Sequence, residues 1–454
     1  MRSKTFRMGV QVRNSGKNKR YVILYMRDNT LLSAVKEMRN ADMEYKNYLK
    51  ELADIYEEYK KFDKDKIPLC AAENYVSPFA KQGLISCYEG KYVSGYIQRD
   101  KEKDFIGSDY LEKVFFLANE LANELFHAQY NDFRSLTGMN TVALILMSMI
   151  DKNSKILITD PASGGHGSLP KLCDNLGIQY SSIPFDYKKM QIDYEQLNEI
   201  LLNDHEVSYL FFCQSDILQP PDLNKIDLPE NVGIIYDATQ TLGLIAGGML
   251  PNPLESQENI VLIGGTHKTF PGVTCGYVAT NSEKIIQQIN QNISPNFLRN
   301  VQVNNIISVC LSMIEMLHIG KQYANIIVYI ANKLGRELSS QGIYVKKISD
   351  KLFTQTHQIF IGKGARSIDE TYAYFRKYGI TLNKRNTKYI QGFRIGVQEI
   401  ARYGFQDHVT ELAELIRLVL EEPFRKKEIL TLKAHLAKLK TDKYVIDDIF
   451  MELD

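Results

Sequence analysis

At 454 residues, 44 % apolar and 24 % charged, the chain is long enough for two or three domains with sizeable cores. A net charge of +1 gives no general attraction for nucleic acid or a membrane surface, and no apolar run reads as long enough to cross a bilayer, the longest lying at 142–150. Six cysteines (Cys70, Cys87, Cys173, Cys213, Cys275, Cys310) stand far apart without a CxxC pair; this excludes a zinc or disulfide framework and suits a reducing, cytoplasmic setting with no metal expected.

The first twenty residues carry seven Lys/Arg and no acid, which predicts a solvated basic arm before a strand at 21–26, with an organelle transit peptide as the alternative. Residues 30–62, rich in Lys, Glu and Leu without Pro or Gly, read as one or two amphipathic helices. A Gly/Tyr-rich stretch at 88–107 is irregular, and helical spacing returns at 110–126 and 141–150. The period then changes. "KILITD" (155–160), "IQYSSIP" (178–184), "SYLFFC" (208–213), "VGIIYD" (232–237) and "NIVLIG" (259–264) are short apolar runs separated mostly by helix-like or polar stretches. Such alternation predicts an α/β fold whose large domain holds a mainly parallel, helix-covered sheet. Ligands of such sheets sit beyond the carboxyl ends of the strands, so Asp160, Ser215, Asp237 and Lys268 are expected to converge on one crevice. A long helix to about 341 follows residue 302, then a smaller C-terminal α+β domain with strands near 343–347 and 357–361 and a final long helix after "GFRIGVQEIARYGF" (392–405). The expected division is 1–64, 65–310 and 311–454, with no internal repeat.

Lys268, in "IGGTHKTFPG", closes an apolar run among small residues; partial desolvation there lowers an ammonium pKa and favours Schiff-base chemistry. Asp237 ends "VGIIYD", where a buried carboxylate needs a cationic partner such as the pyridinium nitrogen of pyridoxal phosphate, or else serves as a helix cap. His166, in "ASGGHGSL", sits where glycines allow a flat ring to approach. Thr137 and Gly138 precede an apolar helical run whose first amides suit a phosphate. Arg394, between apolar residues in the smaller domain, wants a carboxylate, either a ligand's or one from its own chain.

In that order along the chain, these residues resemble the aspartate-aminotransferase superfamily of pyridoxal-phosphate enzymes and, more narrowly, serine hydroxymethyltransferase. "LCAAENYVSP" (69–78) is similar to the family's "LIASENFTSP", "GKYVSGY" (90–96) to "NKYAEGY", and "GGH" (164–166) to "HGGH". "YDATQTLGLIAGG" (236–248) resembles "DMAHIAGLVAAG", "THKTFPG" (266–272) resembles "THKTLRGPRGG", and "GFRIGVQEIARYGF" resembles "GLRIGTPAMTTRGM", over about 65–420 in colinear order. The resemblance implies pyridoxal 5'-phosphate as cofactor, Lys268 as its Schiff-base lysine, Asp237 as the pyridinium partner, His166 stacked on the ring and Ser215 near the phenolate. It further implies His267 beside the lysine, Arg394 on the substrate's α-carboxylate, and a homodimer in which Tyr92 and Gly272 reach the phosphate across the interface.

The departures from the family pattern gather on one side. The proton-transfer glutamate of "KYAEGY" is Ser94, the following tyrosine pair falls near Asp104 and Phe105, and the phosphate serine of "SGSQAN" is Met139. The histidine of "DMAH" is Gln240, the arginine of "GPRGG" is Thr274, and the stretch between "LNKRNTK" and "GFRIG" is short. These substitutions surround the folate and the hydroxymethyl group, whereas the groups for cofactor and carboxylate are mostly kept. The expected activity is therefore folate-independent formation or cleavage of the Cα–Cβ bond of a glycine-, serine- or threonine-type amino acid, with His267 or a water on Ser94 as base and an aldehyde as the second substrate. The alternatives are a diverged serine hydroxymethyltransferase, another reaction on the same cofactor such as transamination, decarboxylation or β-replacement, and a silent scaffold subunit.

Overall fold

A strand that is apolar at every position must bury both of its faces, and the central strands of this chain do so. The computed structural model describes residues 46–94, 105–256, 259–421 and 425–446. The basic arm, the strand expected at 21–26, the first part of the helical segment expected at 30–62, and Asp104 lie outside the described residues. By internal packing the chain divides into Met1–Asp65 and Lys66–Asp454. In the first unit, α1 (Lys46–Asp65) buries Ala53 and exposes Tyr48, Leu52, Ile55, Tyr56, Tyr59 and Phe62, an apolar stripe at helical spacing.

In the second unit the helices are α2 (Ser108–Phe126), α3 (Gly138–Met149), α4 (Leu169–Leu176), α5 (Tyr194–Asn203), α6 (Glu283–Asn292), α7 (Val303–Ser340), α8 (Ile368–Lys377), α9 (Val409–Glu421) and α10 (Lys426–Lys438), with shorter turns between them. The large sheet contains β1 (Tyr130–Asp132), β2 (Lys155–Ile158), β3 (Gln179–Ser182), β4 (Val207–Cys213), β5 (Gly233–Asp237), β6 (Ile260–Gly265) and β7 (Gly276–Thr280) in the spatial order β1-β7-β6-β5-β4-β2-β3. β6, β5, β4, β2 and β3 are parallel, and β7 runs against both of its neighbours. Alternate residues of the apolar runs enter different cores. Leu157, Leu210, Phe212, Ile234, Ile260 and Leu262 face the core that α2 and α7 share, and Ile156, Ile158, Phe211, Ile235, Val261 and Ile263 face the one under α3 and α6. The mainly parallel, helix-covered sheet expected from the sequence is present.

The smaller sheet is antiparallel, in the order β8 (Gln358–Gly362), β10 (Gln391–Gly396), β9 (Asn383–Asn386). The strand expected near 343–347 is a single bridge, Val345 to Ile361. In place of one final long helix, α9 and α10 are separate, and Pro423 falls between them in the sequence. The helix expected after residue 302 is continuous through α7, across position 310. It is long and apolar enough to span a bilayer, longer than the run at 142–150, but most of its apolar length is buried as the core spine of this unit.

Residues 66–74 stitch the two ends of this unit together. Ile67–Pro68 pairs in parallel with Ile380–Thr381, the Gly396 amide donates to the Leu69 carbonyl, and the Gln398 side chain donates to the Cys70 carbonyl. Gly396 is required by this approach, since a methyl there would stand 2.3 Å from the Ala71 Cα. Beneath the stitch, the Arg402 guanidinium bonds the Glu315 carboxylate with both side chains fully buried, and Ser77 Oγ donates to the same carboxylate at 2.5 Å.

Candidate active site

The crevice lies where the carboxyl ends of β2, β4, β5 and β6 meet the smaller sheet. β5 and β4 are in register with Cys213 opposite Asp237, so both side chains end at the same level. Asp237 Oδ2 accepts from the Cys213 thiol at 3.1 Å, and Oδ1 accepts from the Thr239 amide at 2.8 Å, which orients the carboxylate. Burial and the neighbouring carboxylate push the Cys213 thiol well above its ordinary range, so Cys213 is a neutral donor.

β6 ends in Gly264–Gly265, and Thr266, His267 and Lys268 follow. Burial drives the Lys268 ammonium below its usual pKa and Asp237 pulls it partway back, with Arg394, Cys213 and Cys70 also within electrostatic reach. Lys268's own carbonyl is gripped by the Asn74 side chain, which also donates to the Tyr323 hydroxyl of α7 at 2.9 Å. His166 is held by its amide to the Cys213 carbonyl at 2.8 Å, and its Nδ1 accepts from the Ser168 amide at 3.2 Å. Burial lowers the His166 pKa, Asp237 opposes this, and Lys268 and Arg394 reinforce it. The four meet through the strand ends: the His166 amide donates to the Cys213 carbonyl, the Cys213 thiol to Asp237, Arg394 to the Ser215 carbonyl, and Lys268 follows β6, which pairs with β5.

Thr137 caps α3 by accepting from the Asn140 amide at 3.2 Å, which leaves the Gly138 and Met139 amides without intrahelical acceptors. This end faces β6 and Thr239: a methyl on Gly138 would stand 3.1 Å from Thr239 Oγ1 and 3.4 Å from the Gly265 nitrogen. His267 closes the same region, since its ring lies within 3.4 Å of where a Gly265 methyl would be. Among the described residues its buried Nδ1 has no partner, and burial beside Lys268 lowers its pKa to about 4, so the ring is neutral at neutral pH. A cradle of amides at a helix end, an orphaned imidazole nitrogen, an acid and a desolvated amine together fit a flat, phosphorylated aldehyde cofactor.

Ser215 lies at the mouth of β4. Its amide donates to the Gly164 carbonyl at 2.8 Å, and its carbonyl accepts from Arg394 Nη1 at 2.6 Å and Gln358 Nε2 at 3.0 Å. Gln240 is buried and accepts from Gln358 Nε2 at 3.0 Å, so this amide is a structural bridge between the two sheets. Arg394 is buried on β10, where desolvation lowers its pKa to about 10, and it already has an acid of its own chain, Asp216. Tyr92 and Ser94 make their contacts elsewhere. The Tyr92 ring packs on Phe105 at 4.3 Å and is 39 % exposed, and Ser94 bridges Asn300. Gly272 closes the loop after the lysine by donating to the Thr266 carbonyl at 2.8 Å.

Sequence reasoning missed Asn74, Cys213, Asp216, Tyr323, His357 and Gln358. Asn74 sat in a quoted stretch, "LCAAENYVSP", but its role is visible only once the lysine carbonyl is placed beside it. His357 is fully buried, its Nε2 3.3 Å from the Ala71 carbonyl, and it lies within electrostatic reach of Lys268 and Arg394. A cavity of about 400 Å³ bounded by Tyr236, Met249 and Thr354 lies apart from this cluster. Tyr236 points the opposite way from Asp237 in the pleat, so converging charge rather than volume marks the site.

Comparison with known proteins bears on this geometry. The family described as serine hydroxymethyltransferase matches residues 45–416. A serine hydroxymethyltransferase of Picrophilus torridus is 30 % identical over 403 residues, covering 83 % of this chain and 91 % of the relative. One from Pyrococcus furiosus is 29 % identical over 405 residues, covering 83 % and 92 %. A solved structure of L-threonine transaldolase from Pseudomonas fluorescens in its internal aldimine state superposes with a TM-score of 0.82 at 22 % identity, over 92 % of this chain and 97 % of that one. The chain belongs to the serine hydroxymethyltransferase family of pyridoxal-phosphate-dependent transferases and lyases.

Proposed function

We propose that this enzyme makes or breaks the Cα–Cβ bond of a glycine-, serine- or threonine-type amino acid without folate, with an aldehyde as the second substrate. When bound, the cofactor supplies an electron sink for charge developing at Cα. The other roles fall to the chain. Lys268 is the point of covalent attachment, and its desolvation beside Asp237 supports that role. Asp237, fixed by Cys213 and Thr239, would partner the ring nitrogen. His166, with Ser215 nearby, would stack on the ring, and Thr137, Gly138 and the free α3 amides would hold the phosphate. Arg394 holds the α-carboxylate.

His267 takes the proton of the β-hydroxyl in cleavage and returns one in synthesis. Its low pKa keeps the ring neutral, and its unpartnered Nδ1 supports the assignment. A water on Ser94 is the other base the sequence offers. Tyr92 and Gly272 act across the interface of a homodimer, and the enzyme is cytoplasmic. The chain divides into a basic arm and helical segment (1–64), a large cofactor-binding domain (65–310) and a small C-terminal domain (311–454).

The observation that carries the reading is the gathering of half-buried Lys268, Asp237 and His166 with buried Arg394 in one crevice, while Ser94 stands where the family uses a carboxylate. A diverged serine hydroxymethyltransferase is the second reading, favoured by the names of the relatives. One assay separates the two. Cofactor-loaded enzyme is given L-serine, L-threonine and longer β-hydroxy amino acids, and glycine and aldehyde are measured with and without tetrahydrofolate. Glycine release that changes by less than about 2-fold with folate is expected, and acceleration by about 10-fold or more overturns folate independence. No glycine from any of them overturns the Cα–Cβ assignment.

A further inference from the structure

Arg394 does not present an open fork to the crevice. A guanidinium has five N–H groups, one on Nε and two on each Nη. Here Nε donates to Asn383 Oδ1 at 3.3 Å and Nη2 to the same oxygen at 2.9 Å, while Nη1 donates to the Ser215 carbonyl at 2.6 Å and to Asp216 Oδ1 at 3.0 Å. Four of the five are engaged, counted from those four bonds, and a single Nη2–H remains. A carboxylate held bidentately needs two adjacent N–H groups, so one internal partner has to give way.

Asp216 is the partner best able to do so. It is only 7 % exposed, yet three side chains hold it. Arg385 Nε donates to Oδ1 at 2.7 Å and to Oδ2 at 2.8 Å, and the Tyr389 hydroxyl donates to Oδ2 at 2.7 Å. Released from Arg394, Asp216 keeps the bonds to Arg385 and Tyr389, so no buried charge is stranded. Asn383 would instead lose both of its Arg394 bonds, and that oxygen would keep only a 3.8 Å contact from the Cys70 thiol. Arg385 also keeps the trio at one net positive charge, so an incoming carboxylate is still attracted. What Asp216 changes is local: it fills the fork and places a second carboxylate beside the arriving one.

We infer that Asp216 is a specificity-determining residue, an internal carboxylate that competes with the substrate's carboxylate for Arg394, with Arg385 and Tyr389 keeping it seated when it loses. The inference rests on Arg394 being the carboxylate-binding group of the proposed site. Two variants move the competition in opposite directions. Asp216→Asn weakens the competitor. Arg385→Gln removes the group that shares Asp216 and leaves the acid to Arg394 alone.

The test is calorimetric titration of the cofactor-loaded enzyme with glycine and with glycinamide, which keeps the amine and lacks the anion. The native enzyme is expected to favour glycine over glycinamide by less than about 10-fold. Asp216→Asn should tighten glycine by about 10-fold and leave glycinamide unchanged, and Arg385→Gln should weaken glycine by a similar factor. A merely structural role would weaken both ligands in both variants. Unchanged or weaker glycine binding by Asp216→Asn overturns the inference, as does a native preference for glycine of about 100-fold or more. If Asp216→Asn fails to fold, the native preference and Arg385→Gln decide. Absence of binding by both ligands sinks the parent reading and the inference with it. Glycinamide binding with no tightening of glycine sinks the inference alone.

Discussion

At the ends of β5 and β6, Asp237 is bonded to neutral groups, the Cys213 thiol and the Thr239 amide, and lies within electrostatic reach of Lys268, whereas across the crevice Arg394 is already bonded to Asp216 and Asn383. The first side keeps the lysine, the aspartate and the glycine-loop histidine of the family's pattern, with Met139 in place of the phosphate serine. The second has been rewired by side chains of its own chain: Asp216, Arg385, the Gln240–Gln358 bridge, and Ser94 where a carboxylate is expected. On the proposed assignment of roles, cofactor binding and substrate choice therefore fall to largely separate sets of residues.

The largest expected effect falls on the cofactor side. Lys268→Ala should abolish the visible absorbance of the bound cofactor and lower turnover by at least about 10³-fold. Retention of the absorbance, or a loss of less than about 10-fold, would break the distinction between the two sides. Next comes the frame beneath both. Replacing the fully buried Arg402 by Met leaves Glu315 without its cation and should cost about 3–5 kcal/mol in urea unfolding, while the protein that remains folded still takes up cofactor. A loss below about 1 kcal/mol would mean that the pair is not the keystone its burial suggests.

A third effect concerns pH. Burial lowers His267 to about 4 and His357 to about 3, from an ordinary 6.5, so the unfolded chain binds more protons than the folded one between those values. Stability is then fully present above about pH 6.5 and is lost as the pH falls towards 4 and then 3. Melting temperatures should decline over that window, and His357→Gln should flatten the decline. A flat profile in the native protein between pH 6.5 and 4 would contradict it.

The strand ends were legible because a strand buried on both sides must be apolar throughout, and β2, β4, β5 and β6 overlie those runs, β4 and β6 each extending one residue beyond. β1 was not, because Tyr-Asn-Asp carries no apolar pattern and is held as an edge by pairing with β7. The 343–347 run is apolar enough for a strand but finds only one bridge. On the site, Lys268, Asp237 and His166 could be named because each sits at a strand end or in a glycine loop. Asp216 could not. In "CQSDILQPP" it is one polar residue in a loop, and its meaning comes from Arg385, Tyr389 and Arg394, which follow by 169, 173 and 178 positions. Sequence spacing reports neighbours along the chain, whereas charge competition at a site is set by neighbours in space.

The stitch made by residues 66–74 also dictates when the site can exist. Leu69 bonds Thr381 across a separation of 312 positions, and Asn74 of the same segment clasps the carbonyl of Lys268. During synthesis these early residues wait for partners near the far end of the chain. A chain that ends before Thr381 therefore carries Lys268 but lacks Thr381, Gly396 and Gln398, the partners that seat this segment.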